Sequence, residues 1–240
     1  MYGLCIVFIS LCLFVALKGT ACNASICRNP AAEMIASCGP GDSLSATVRK
    51  IASPLSDSEL DQVKGVLFSN AKKSPRCRQQ VITAVMKAMD QPDLDLLRSQ
   101  GSYDTWTYGA QILGELKAVE ALDLLIAHLN STDGLSINMN HFPAVAGVIA
   151  MGQIAIPKLA SALRQNPDRY VRKHAIFCIA SIGGNSAKST LWQALQFESD
   201  RCNREFIEVS LRAFKNKRTP NRIIFDPERS RWYAAVYCHD

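Results

Sequence analysis

From residue 102 onward the chain repeats one arrangement of apolar and polar positions. An apolar, a small, a polar and a second apolar residue recur in "LGEL" (Leu113–Leu116), "MGQI" (Met151–Ile154) and "IASI" (Ile179–Ile182). A short polar link and a further helical run follow each. The further runs place apolar residues at Ala121, Leu122, Leu125 and Leu129; at Ile156, Leu159, Ala160 and Leu163; and at Ala187, Leu191, Ala194 and Leu195. Steps of three and four put each set on one side of a helix, and such a stripe needs a neighbour to cover it. Val171, Ala175, Cys178, Ile179 and Ile182 form the first stripe of the last unit. Each unit therefore predicts a helical hairpin. The small residue at Gly114, Gly152 or Ala180 is expected to let paired helices approach, and Gly183, Gly184 and Asn185 to end a helix in left-handed backbone. Spacings of 38 and 28 residues between the small positions predict stacked hairpins with links of variable length, the organisation of an α-solenoid.

These three units resemble HEAT repeats, in the shorter form also seen in phycobilisome lyases. "DRYVRKHA" (Asp168–Ala175) is similar to that family's Asp followed by Val-Arg at the start of a repeat. The resemblance covers residues 102 to 197, with degenerate units at "PRCRQQVITAVMKAM" (Pro75–Met89) and "NREFIEVSLRAF" (Asn203–Phe214). It implies an all-α fold, a right-handed α-solenoid of stacked hairpins. It departs from the family at "DTWTYGA", which has no Arg in the place of Arg172, and at "NHFPAVAG", which lacks both Asp and Arg. An Asp–Arg ladder between repeats therefore cannot run the length of the stack.

The two ends differ from the middle. Tyr2 to Leu17 is apolar, too short to cross a bilayer as a helix, and is followed by Lys18 and the small residues Gly19, Thr20 and Ala21. Residues 1–21 are expected to be a signal peptide cleaved after Ala21, although no Lys or Arg precedes the apolar run. Cys22, placed directly after a small residue, opens a second route, lipid anchoring of the kind found in bacterial lipoproteins. Only that route implies a membrane. Localisation is accordingly expected to be exported, periplasmic or secreted.

Of nine cysteines, loss of Cys5 and Cys12 leaves seven. In an oxidising compartment the expectation is disulfides rather than zinc. Cys178 lies in an apolar stripe, so the simplest tally pairs Cys22, Cys27, Cys38, Cys77, Cys202 and Cys238. Residues 22–45 read as a disulfide-held leading segment, and 46–240 as the solenoid domain, with disulfide-held ends. Asp226 and Pro227 begin a capping helix in which Trp232, Tyr233, Val236 and Tyr237 would cover the open face.

Candidate chemistry is sparse. His174 and Cys178 are four apart and share a helical face, but catalysis needs an accessible thiol and an oriented His, so a core role is expected. His128, His141, His174 and His239 are scattered, with no zinc-binding spacing. No catalytic, cofactor-binding or metal site is expected, and the chain is read as not an enzyme. The link Asn130–Pro143 alternates apolar and polar residues, which makes Asn138, Asn140 and His141 candidate partner-binding residues. Residues 201 to 231 hold nine Lys or Arg against four Asp or Glu, most of the net +6 of the chain. Within them Arg212, Lys215, Lys217 and Arg218 form a basic cluster that would attract an anionic polymer. Nucleic acid is not expected as a partner of an exported protein.

The leading functional expectation is thus an exported interaction scaffold with a protein or peptide partner. An anionic-surface or polysaccharide binder acting through residues 212–222 is the alternative. An enzyme of the bilin-lyase kind, implied by the resemblance, is disfavoured by the export signal.

Overall fold

In a computed structural model the chain divides into two units, Met1–Pro40 and Gly41–Asp240. The residues described are 41–90, 100–131 and 142–215, all within the second unit. These are mostly helical, with no strand among the described residues. In chain order the helices are α1 (Gly41–Arg49), α2 (Asp57–Lys73), α3 (Pro75–Met89), α4 (Gln100–Glu115), α5 (Leu122–Ala127), α6 (Pro143–Met151), α7 (Ile156–Gln165), α8 (Arg169–Ile182), α9 (Gly184–Ala194) and α10 (Arg201–Lys215). Because α1 starts at Gly41, the last residues of the leading segment 22–45 are helical. Residues 1–21, Cys22, Cys27, Cys38 and the capping-helix residues 226–237 lie outside the described residues.

Local chemistry sets the helix ends. Ser56 and Glu59 form a reciprocal capping box at the start of α2: the Glu59 carboxylate accepts the Ser56 N–H at 2.9 Å, and Ser56 Oγ accepts the Glu59 N–H. Ser74 caps α3 by accepting the Cys77 N–H at 3.1 Å, and Pro75 occupies its first turn. Lys117, at φ 53°, takes the left-handed position that closes α4, where the Ala118 N–H reaches the Leu113 carbonyl at 3.0 Å.

By length and composition the apolar run Pro143–Gln165 would cross a bilayer. Gly152, at φ +72°, instead breaks it into α6 and α7, which turn back into the core. Gly183 and Gly184 likewise have positive φ and separate α8 from α9. Asn185, expected to share that backbone, lies inside α9.

The helices pack as two sets. Within the first, α4 packs on α6, α6 on α8, and α8 on α10; within the second, α5 packs on α7, and α7 on α9. Cross-contacts tie the sets together, the principal ones joining α7 to α8, α8 to α9, α5 to α6 and α9 to α10. On the N-terminal side α3 packs on α2, α1 and α4. The core consists of the stripes read in the sequence: Leu122, Leu125, Leu129, Ile156, Leu159, Leu163, Ala187, Leu191, Ala175, Cys178 and Ile179 are buried. Each large aliphatic side chain so buried contributes about 2 kcal/mol of transfer free energy.

One apolar position of the repeat faces solvent, and one expectation from it needs correction. Ile154, in the second apolar position of "MGQI", is 44% exposed, because the chain there is already turning out of α6. Gly152 makes no close approach: a Cβ on it would meet nothing within 4 Å, and its role is the turn. The close approach belongs to Gly114 and Gly147. A Cβ on Gly114 would lie 2.5 Å from the Gly147 carbonyl oxygen, and one on Gly147 would lie 2.6 Å from that of Ala110. Backbone meets backbone where α4 crosses α6, so neither position has room for a side chain. Gly114→Val is expected to lower stability by about 3 kcal/mol, read as a reduced urea midpoint. An unchanged midpoint would mean the crossing is not this tight.

Candidate functional site

A series of polar contacts runs from turn to turn. Near the N-terminal end of α3, just after the α2–α3 turn, Arg78 donates to the carbonyls of Leu116 and Lys117 at 3.1 Å each, and pairs with Glu120 at 3.1 Å. Lys117, at the α4–α5 turn, donates from Nζ to the Ala150 carbonyl at the end of α6. Gln153, at the α6–α7 turn, donates from Nε2 to the Gly183 carbonyl at 2.7 Å. Each acceptor lies at or just beyond the C-terminal end of α4, α6 or α8, where carbonyls lack intrahelical partners and the helix dipole favours a donor. Beyond the last turn, the Phe214 ring of α10 stands near Gly183.

At the opposite ends of these helices Arg172 forms the strongest cluster. Its guanidinium makes two parallel bonds to Glu198, at 2.9 and 3.0 Å, and also donates to the carbonyls of Asn166 and Pro167. Glu198, 4% exposed, further accepts from the Asp200 N–H at 3.0 Å. Burial alone would raise the Glu198 carboxyl, but the Arg172 and Asp200 hydrogen bonds outweigh it and hold it below its usual 4.5. Arg172 therefore pairs with a glutamate in the α9–α10 link rather than with an aspartate of a neighbouring repeat. Asp168 instead caps α8 by accepting the Tyr170 N–H at 2.8 Å. Sequence reading missed Glu198; its one signal is the "ESD" that precedes α10, where Asp200 caps the helix by accepting the Asn203 N–H at 2.8 Å.

His174 and Cys178 are both buried in the core of α8. Cys178 is a free thiol whose Sγ faces the Val145 carbonyl at 3.9 Å, and burial pushes it far from ionising. The His174 ring packs on Phe142 with centroids 4.3 Å apart, and its Nδ1 has no hydrogen-bond partner. Burial, reinforced by Lys173 and opposed by Asp168, lowers its pKa to about 4. A buried thiol beside a neutral imidazole is not an activated nucleophile.

The other candidates are scattered. Arg212 is exposed on α10, on the same side as Glu205 and Glu208, so the described part of the basic cluster carries both signs. Lys215 ends α10, while Lys217, Arg218, Asn138, Asn140 and His141 lie outside the described residues. Cys77 and Cys202 are buried near the starts of α3 and α10, and no disulfide has both sulfurs among the described residues. Cys238 is also outside them. Among the described residues no group of three His, Cys, Asp or Glu side chains is placed to hold a metal ion.

No family model, curated protein or solved structure matches the chain. Function must therefore be read from the surfaces themselves. Among the large exposed hydrophobic side chains are Trp192 of α9, 57% exposed, and Phe197, just beyond α9, 39% exposed.

Two acid sensitivities follow. His174 remains neutral in the fold while the unfolded chain takes up a proton below about 6.5, so stability falls as pH drops from 6.5 towards 4. The loss should be on the order of 3 kcal/mol, and His174→Leu should flatten the urea midpoint across that window. Glu198 has a lowered pKa, so its contribution is complete above 4.5 and is lost only as pH falls below that value. Glu198→Ala should cost about 3 kcal/mol at neutral pH, and the deficit should shrink at lower pH, where the wild-type carboxylate is itself protonated. A deficit unchanged by pH would mean the Arg172 pair is not its source.

Proposed function

We propose that the chain is an exported protein–protein interaction scaffold without catalytic activity, built as a HEAT-like α-solenoid whose ends are held by disulfides. The observation that carries this reading is the contact series Arg78, Lys117, Gln153, in which each turn donates to the helix-end carbonyls of the next. Together with packing of first helices on first and second on second, it is how hairpins stack in a row, each touching mainly its neighbours. Stacking of this kind leaves a continuous outward side to a partner, whereas fold alone never dictates function. Export rests on residues 1–21, and disulfides at the ends on Cys22, Cys27, Cys38, Cys77, Cys202 and Cys238, which flank the central hairpins along the sequence.

The test is chemical cross-linking of the mature protein in an extract of its own compartment, at rising salt. A defined protein adduct that survives salt is the expected result. Loss of all binding at moderate salt would favour the basic segment 212–222 and an anionic polymer instead. Turnover of a tetrapyrrole adduct by the purified protein would overturn the non-catalytic reading.

A further inference from the structure

Helices α7 and α9 lie side by side, and neither contains an Asp or Glu. On α7 itself Lys158 is paired with Asp123 of α5, as Lys64 is with Glu115, Arg78 with Glu120 and Arg169 with Asp200. Lys188 of α9 has no ion-pair partner among the described residues, nor does Arg164 of α7, whose guanidinium instead lies over the Phe197 ring at 5.1 Å from its centroid. Lys188 and Trp192 are four apart and share one side of α9. Lys188 and Trp192 are about 6 Å apart along the axis at 1.5 Å of rise per residue, and Phe197 follows just beyond the end of α9, beneath Arg164.

Each of two exposed aromatic side chains thus has beside it a cation that lacks a carboxylate: Lys188 one turn before Trp192, and Arg164 over Phe197. Exposed aromatic side chains rimmed by charge mark interaction surfaces, and Trp and Arg are the residues that most often dominate binding energy. The absence of acidic residues on both helices fixes the sign of the occupant.

We propose that the outward side of α9, with Arg164 of α7, docks an acidic peptide segment of a partner protein, its apolar side chains resting on Trp192 and Phe197 and its carboxylates pairing with Lys188 and Arg164. This deepens the scaffold reading and rests on it, naming the face and the chemistry of the partner. A charge-only polymer would use the cations and leave Trp192 bare, and a basic or neutral segment would meet unpaired positive charge.

The probe is a fluorescent random copolymer of glutamate and tyrosine, titrated with the full mature protein at physiological salt and followed by anisotropy. Poly-glutamate, RNA and vesicles containing anionic phosphatidylglycerol are run beside it. The copolymer should bind, with poly-glutamate about tenfold weaker. Trp192→Ala should weaken the copolymer about tenfold, and Lys188→Glu and Arg164→Glu each about threefold or more. All three side chains are exposed, so circular dichroism and the urea midpoint should match the wild type, which separates lost binding from lost fold.

Equal binding of poly-glutamate and copolymer, or copolymer binding indifferent to Trp192→Ala, would overturn the proposal. So would RNA or vesicle binding that depends on Trp192 while the copolymer fails. If the copolymer fails but a salt-resistant protein adduct forms in the cross-linking experiment, the scaffold reading stands and this face is wrong; if both fail, the scaffold reading falls with it.

Discussion

The contact on which the arrangement depends is the crossing of α4 and α6, where Gly114 and Gly147 bring two backbones together. Two helices that meet without intervening side chains fix their relative height as well as their separation. That height puts Lys117, in the left-handed position after α4, within reach of the Ala150 carbonyl at the end of α6. A longer separation would leave that carbonyl and the apolar stripes on both sides exposed to water. The crossing therefore couples two favourable events, burial of the stripes and satisfaction of a helix end.

The same pairing of burial with carbonyl satisfaction recurs without the glycines. Arg78 and Gln153 donate to carbonyls at the neighbouring helix end in the way Lys117 does. Arg172 and Arg204 act at the opposite ends, on the carbonyls of Asn166, Pro167, Leu195 and Glu198. Carbonyl groups at helix ends are numerous in a short-hairpin architecture, since every turn leaves several without intrahelical partners. A long cationic or amide side chain is an economical donor for them, because its stem packs on apolar surface while its head reaches the oxygen. The charges of Arg78, Lys117, Arg172 and Arg204 are thus structural.

How much of this was legible in the sequence depended on whether the signal was periodic. The apolar stripes were: Leu122, Leu125, Leu129, Ile156, Leu159, Leu163, Ala187 and Leu191 are buried where steps of three and four placed them. Pro75–Met89 and Asn203–Phe214, read as weaker units, are helical, the second inside the slightly longer α10. Aligning units by their small residue failed for Gly152, because a glycine in a repeat can serve either close packing or a turn, and only φ and the neighbouring atoms distinguish the two. Gly147 was missed for the converse reason, being one small residue in the uniformly apolar "PAVAGVIAM" with no periodic contrast to single it out. The turn-to-turn donors share no register within their units, since each side chain needs only to reach an oxygen and several positions suffice. Glu198 was hidden for a related reason, lying in a link between hairpins while its partner belongs to the recognisable part of the repeat. Candidate binding residues in the link at 130–143 and in the basic cluster fall largely outside the described residues, so the surface that emerged is a different one.

The division of labour among the cations gives that surface its meaning. Arg78, Lys117, Arg172 and Arg204 are held by carbonyls or carboxylates of the fold, and their charge is answered within it. Moving a partner's carboxylate to any of them would mean displacing an existing acceptor, which returns little net energy. Lys188 and Arg164 have no such competitor among the described residues, so a carboxylate arriving there displaces only water. Desolvation beside Trp192 and Phe197 lowers the local dielectric and strengthens the pair it surrounds. Apolar contact and charge pairing therefore reinforce each other on the outward side of α9, whereas on the turn surfaces they would compete with the contacts that hold the hairpins together.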